Sequence, residues 1–117
     1  MAIQIRVNLQ ASPNPTSLPR RVEFTQTLRS NRDGEPITVT YSLDPAHDVW
    51  FQDSDGNPAK SVQRTETVGK ADQVCVDRIT LQRGAGAGPA AGVQVNQTIT
   101  DSAGITLGDL VTLQLTG

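Results

Sequence analysis

Four stretches of this chain set apolar residues at every second position, with two lapses, both to glutamine: Ile3/Ile5/Val7/Leu9, Val22/Phe24/Gln26/Leu28, Ile37/Val39/Tyr41/Leu43 and Val93/Val95/Gln97/Ile99. Successive side chains of a strand point to opposite faces, so a two-residue period predicts sheets with one dry face and one wet face. Thirteen threonines join the valines and isoleucines as β-branched residues, which suit a pleated sheet and lose rotamer freedom in a helix. Helix is expected to be scarce. The dry positions are mostly aliphatic and leave little room for a buried polar site. The wet ones, rich in Thr, Ser and Gln, are where recognition is expected.

With 117 residues the chain fits one domain spanning 1–117, and 26 Ile, Leu and Val residues are enough for one core. The core should be thin in aromatic rings, because only Phe24, Tyr41, Trp50 and Phe51 carry them. A formal net charge of −2 disfavours nucleic acid as a partner, since that affinity comes from clustered Lys and Arg. The charge is uneven: Arg20, Arg21, Arg29 and Arg32 share one segment, and Asp33, Glu35, Asp44, Asp48, Asp53 and Asp55 follow it. Complementary neighbouring strands or a solvated surface would both fit. Cys75 is alone, so no internal disulfide forms and nothing demands an oxidising compartment. No run of eighteen apolar residues exists, which predicts no membrane insertion, and the N-terminus reads as a strand rather than a signal peptide. A domain cut from a longer secreted protein would also lack its signal, so the compartment stays open, with an extracellular or virion-associated place in a larger assembly among the options.

Strands are expected at about 2–10, 21–29, 36–43, 49–52, 61–68, 72–82, 93–100 and 109–116, with Ile105–Leu107 as a short strand or bend. Proline supplies no N–H, so the stretch from Ser12 to Pro19 must leave the ladder, and it reads as a surface crossover between sheets. Asp33-Gly34 and Asp53-x-Asp55-Gly56-Asn57 are turns by composition. Gln26 must find a partner or sit at a rim. In Val49-Trp50-Phe51 either Trp50 or the Val49/Phe51 pair faces away from the core. Ser61–Val68 mixes charge into its alternation and fits a blunted edge strand. In 72–82, Val74 and Val76 share one parity and Ile79 and Leu81 the other, which a one-residue bulge near Asp77-Arg78 would reconcile. The alternative is a single parity that buries Cys75 and draws Asp77 inward. The bulge is the preferred reading. The glycine- and alanine-rich run from Gly84 to Gly92 is expected to be a mobile connection. Seven or eight strands without helix indicate a β-sandwich, with a small barrel second.

Motifs for chemistry are few. Gly86-x-Gly88 through Ala91 fits the looser dinucleotide fingerprint, but a strand follows where a helix N-terminus is needed. Asp53 and Asp55 resemble the start of a calcium loop, although a calcium-binding helix-loop-helix would need a Glu where Arg64 stands. The reading without a metal is a plain Asp-Gly turn, and calcium held with Asp48 or Asp33 is the alternative. His47 is the only histidine and is expected in an exposed loop, without a nucleophile-elbow sequence nearby. Trp50 is expected to be buried between two sheets; exposed beside Phe51, it would serve a ligand. Asn96-Gln97-Thr98 is a glycosylation acceptor sequence inside a predicted strand, which is no ground for inferring secretion.

Ala11-Ser12-Pro13-Asn14-Pro15-Thr16 followed by Val22-Glu23-Phe24-Thr25 resembles the opening of bacterial immunoglobulin-like repeat domains. Ile37–Leu43 and Val111–Leu115 are similar in style to strands of that family, whose aromatic-rich late strands this chain lacks. The resemblance implies an all-β, single immunoglobulin-like β-sandwich of seven to eight antiparallel strands. It also implies a non-catalytic structural or protein-interaction module of a surface, extracellular or phage-particle assembly, acting in adhesion or as a spacer, by self-association or with a protein partner. The alternative is a small-ligand, carbohydrate or calcium-binding domain, with Trp50 and Phe51 at the ligand and Asp53 and Asp55 at the metal. No enzyme activity and no cofactor other than calcium are expected.

Overall fold

The alternating segments build two sheets whose dry faces meet. The computed structural model describes residues 3–84 and 92–116, with the backbone alone for residues 3–8. Nine strands follow in order: β1 (Ile3–Ser12), β2 (Arg20–Ser30), β3 (Glu35–Leu43), β4 (Val49–Gln52), β5 (Pro58–Ala59), β6 (Ser61–Val68), β7 (Gln73–Arg83), β8 (Gly92–Thr100) and β9 (Thr106–Gln114). One sheet has the order β1-β2-β7-β4-β5 and the other β6-β3-β8-β9, and the strand pairs are antiparallel. The all-β sandwich is thus as expected. The additional strand over the sequence reading is the two-residue β5. Most of the predicted mobile connection, with the glycine fingerprint at Gly86–Ala91, lies outside the described residues.

The core lies between the sheets, with Val22, Phe24 and Leu28 of β2 and Ile79 and Leu81 of β7 against Ile37, Val39 and Tyr41 of β3 and Val93, Val95 and Ile99 of β8. Phe24 and Tyr41 pack across it, ring centroids 4.9 Å apart. The proline-rich stretch leaves the ladder as expected but is not a crossover between sheets: it joins β1 to β2, neighbours in one sheet, and touches the other sheet only in passing. Thr16 forms a parallel bridge with Leu115, so a chain that has just left β1 in one sheet pairs beyond the end of β9 in the other.

The bulge near Asp77-Arg78 is not formed. β2 and β7 pair without a shift from Arg20↔Leu81 to Leu28↔Gln73, and Cys75, Asp77, Ile79 and Leu81 all face inward. Val76 turns outward and Val74 is 66% exposed. The unbroken ladder keeps its hydrogen bonds, and the buried Asp77 carboxylate accepts a bond from the Tyr41 hydroxyl at 2.5 Å, which offsets its loss of water. Register shifts occur instead in the β1–β2 pair, between Ile3 and Ile5 and between Val7 and Gln10.

Candidate functional site

Among the residues singled out from sequence, Phe51 and Trp50 part company. Phe51 is fully buried in the core with Val49, so it cannot touch a ligand at the surface. Trp50 is not buried between the sheets as expected; the strand's parity turns it to the outer face, half-buried. There the Lys60 ammonium lies 4.1 Å from its ring centroid and Trp50 Nε1 donates to Asp48 Oδ1 at 2.7 Å. Lys60 also donates to the carbonyls of His47 and Val49. The ring face is therefore already covered by this chain's own cation. Asp48 leaves no room for a side chain at residue 84, where an added Cβ would stand 2.1 Å from Asp48 Oδ1.

Asp53 and Asp55 do not converge. Asp53 Oδ1 accepts from the backbone N–H groups of Asp55 and Asn57, both at 2.9 Å, and Gly56 at φ 80° completes the turn between β4 and β5. Asp55 is exposed. Asp33 is engaged elsewhere, accepting from Lys70 N–H at 2.9 Å. Among the described residues no three His, Cys, Asp or Glu side chains form a metal-binding group. Asp53→Ala is expected to cost about 1–2 kcal/mol through its two backbone bonds, Asp55→Ala close to nothing, and millimolar calcium should leave the melting temperature of either unchanged. Thermal unfolding with and without calcium checks this.

A polar cluster lies inside the sandwich, where the alternation predicts aliphatic packing. Gln97 Nε2 donates to the Tyr41 hydroxyl oxygen at 3.1 Å, and that hydroxyl donates to Asp77. Glu66, facing inward from β6, lies against Asp77 and Cys75. One of its oxygens, Oε2, is buried without a hydrogen-bond partner. Two ionised carboxylates offer each other only acceptors, so a proton on Glu66 is what lets it bond to Asp77. Burial first, then the bond to Asp77 and its charge, push the Glu66 carboxyl up to about 7. Burial, then the charge of Glu66, pushes the Cys75 thiol up to about 12, and burial, then Asp77, raises the Tyr41 phenol well above its usual range. Thiol and phenol are thus protonated at neutral pH and poor nucleophiles. Gln97, one of the two lapses in the alternation, was the sequence signal for this cluster, and both glutamines are buried.

The outer surface offers a hollow of about 630 Å³ above the ends of β8 and β9, lined by Asp44, His47, Gln94, Asn96, Thr112 and Gln114 among others. It also presents four sheet edges. β5 is two residues long and contains Pro58, β1 is interrupted by its register shifts, and β6 carries Arg64 and Glu66 at inward positions. Each of these devices discourages further pairing.

The fourth edge, β9, is half-covered. Asn14 clamps its C-terminal end, donating to Thr112 O at 3.0 Å and accepting from Gln114 N–H at 2.8 Å. Thr16 N–H donates to Gln114 O, and Thr116 N–H donates to Thr16 O. Thr112 and Gln114 thus turn their backbone groups away from β8, and by the two-residue period Thr106, Gly108 and Leu110 do the same. The N–H of Leu110 meets only the neighbouring Asp109 carboxylate, at 2.8 Å, among the described residues. Leu110 and, just before the strand, Ile105 are 49% and 44% exposed.

The free half is held at its other end too. Glu35, fully buried at the start of β3, accepts from Ser102 N–H at 2.9 Å, Ser102 Oγ at 2.6 Å and Arg32 Nε at 2.5 Å. The Ser102 bonds, then Arg32, hold its carboxyl down at about 2. Asp101 Oδ1 accepts from Ala103 and Ile105 N–H, both at 3.0 Å, so the turn leading into β9 is pinned.

No protein-family model matches the sequence, and no curated protein matches it. Solved structures do match. The alkylpurine DNA glycosylase AlkC of Pseudomonas fluorescens, bound to DNA containing an abasic site analog, has a TM-score of 0.57 and 16% identity over 99% of this chain and 31% of that chain. Spo0M, a sporulation control protein of Bacillus subtilis, has a TM-score of 0.59 and 11% identity over 100% of this chain and 50% of that chain. The chain therefore spans less than a third of the first and half of the second. At such identities the likeness is one of fold alone.

Proposed function

We propose that this chain is a non-catalytic, immunoglobulin-like interaction module that binds an extended segment of a protein partner along the free half of β9. The observation that carries this reading is the free half of β9: among the described residues the outward backbone groups of Thr106, Gly108 and Leu110 meet no backbone partner, and apolar Ile105 and Leu110 stand beside them. Backbone pairing supplies affinity in such strand addition, and flanking apolar side chains supply preference. The immunoglobulin-like assignment is supported by strand order. β1-β2-β7-β4 facing β3-β8-β9 matches the four-plus-three arrangement of constant-type domains, with β6 added beside β3. The DNA in the AlkC complex is not carried over, because the likeness is one of fold alone and a net charge of −2 disfavours phosphate binding.

Selection of random extended peptides against the immobilised domain tests this reading. Selected peptides should slow amide exchange at Thr106–Leu110 and bind less well to Gly108→Pro. The second reading, a small-ligand or carbohydrate-binding domain, is favoured by the amide-lined hollow beside Asn96. Peptides or oligosaccharides whose footprint falls on Gln94 and Asn96, with β9 unprotected, would replace the first reading with the second.

A further inference from the structure

We propose that a second copy of this chain occupies the free half of β9, antiparallel about a two-fold axis at Gly108, so that the β6-β3-β8-β9 sheets of two copies run into one another. The inference rests on the sheet-edge reading above and names its partner. An isologous pair needs a segment complementary to itself. Centred on Gly108, Thr106 falls opposite Leu110 and Leu107 opposite Asp109, and all three edge-facing residues of each copy are used, for up to about six backbone bonds. A centre at Asp109 would set carboxylate against carboxylate and bring Thr106 against Thr112, whose carbonyl Asn14 already occupies. A centre at Leu107 would leave Leu110 facing Gly104, which lies in the turn at φ 81°. Charge and the Asn14 clamp thus select one register.

The pairing is intrinsically weak. Five residues of edge cover less than the roughly 1,000 Å² of a stable interface, so association belongs at roughly upper-micromolar to millimolar concentration. In the single copy the Asp109 carboxylate competes for the Leu110 N–H.

Sedimentation equilibrium of the whole chain from micromolar to millimolar concentration tests the proposal. A reversible rise toward twice the monomer mass is expected. Gly108→Pro removes an edge-facing N–H while leaving the β8 ladder intact, has open space around the position, and should weaken association about tenfold or more. Asp109→Ala frees the Leu110 N–H in both copies and should tighten it about 5–30-fold. Asp109→Ala keeps the test open if the proline variant folds poorly. A monomer at every concentration in both the natural chain and Asp109→Ala overturns the proposal, as does a dimer indifferent to both changes. Monomers that still take up selected peptides at Thr106–Leu110 would overturn self-pairing while leaving the edge reading standing, whereas loss of both would remove both.

Discussion

Phe51→Ala is expected to lower the free energy of unfolding by about 3–5 kcal/mol, the usual cost of emptying a buried aromatic site. Phe51 is fully buried, and in the five-stranded sheet it stands opposite Leu81 of β7 on one side and Ala59 of β5 on the other. Trp50→Ala, one residue earlier, should cost only about 1–2 kcal/mol, because it removes a half-exposed ring, one hydrogen bond and one contact with Lys60. Denaturant unfolding with unchanged slope measures both. Two equal losses would contradict the facing of β4. Any ligand affinity lost in Phe51→Ala should follow the unfolded fraction, since that ring meets no solvent.

Glu66→Gln is expected to flatten the stability profile between about pH 4.5 and 8. The folded chain holds the Glu66 proton up to about 7, whereas an unfolded glutamate releases it near its ordinary value of 4.5. Proton binding therefore favours the folded state, fully below pH 4.5, and that contribution is lost as pH rises through 7. The Gln variant carries no titrating proton and should exceed the natural chain by about 1–2 kcal/mol at pH 8, less than the full shift implies because water screens a half-buried group. Glu35 acts in the opposite sense. Its carboxyl is held down at about 2, so its contribution is present above pH 4.5 and fades as pH falls toward 2. Together the two place maximum stability near pH 5, below the usual neutral range. Melting temperatures across pH 2–9 for both proteins check this, and a natural profile flat from pH 5 to 8 would contradict the carboxyl pair.

Much of the architecture was legible because strand parity is a local property. The alternation in β2, β3 and β8, the turns at Gly34 and Gly56 and the break in the ladder at Pro13 and Pro15 each follow from neighbouring residues. The charged edge strand β6 was legible for the same reason. Facing was harder wherever two parities were both apolar. In β7, Val74 and Val76 compete with Ile79 and Leu81, and the decision came from Tyr41, 36 residues away in sequence from Asp77, whose hydroxyl makes an inward Asp77 tolerable. In β4, burial of Val49 and Phe51 put Trp50 outside, where Lys60 covers it. The Asp53–Asp55 pair looked like ligands because composition does not tell a carboxylate facing a cation from one bonded to its own backbone.

The open half of β9 could not be read from Thr106–Leu110, because whether a strand edge is free depends on what lies beside it. Asn14, 98 residues before Thr112, covers one half and stops short of the other. The sequence by itself determined the sandwich, through side chains that alternate with the pleat, and it determined the absence of several imidazoles and of a disulfide partner for Cys75 within the chain. Tertiary structure alone decided that Gln97, one of the two glutamine lapses, joins a buried Tyr41–Asp77–Glu66 network, and that half of β9 meets no backbone partner among the described residues. Both depend on contacts between strands distant in the chain, where hydrogen-bond complementarity and steric cover, rather than local periodicity, set the outcome.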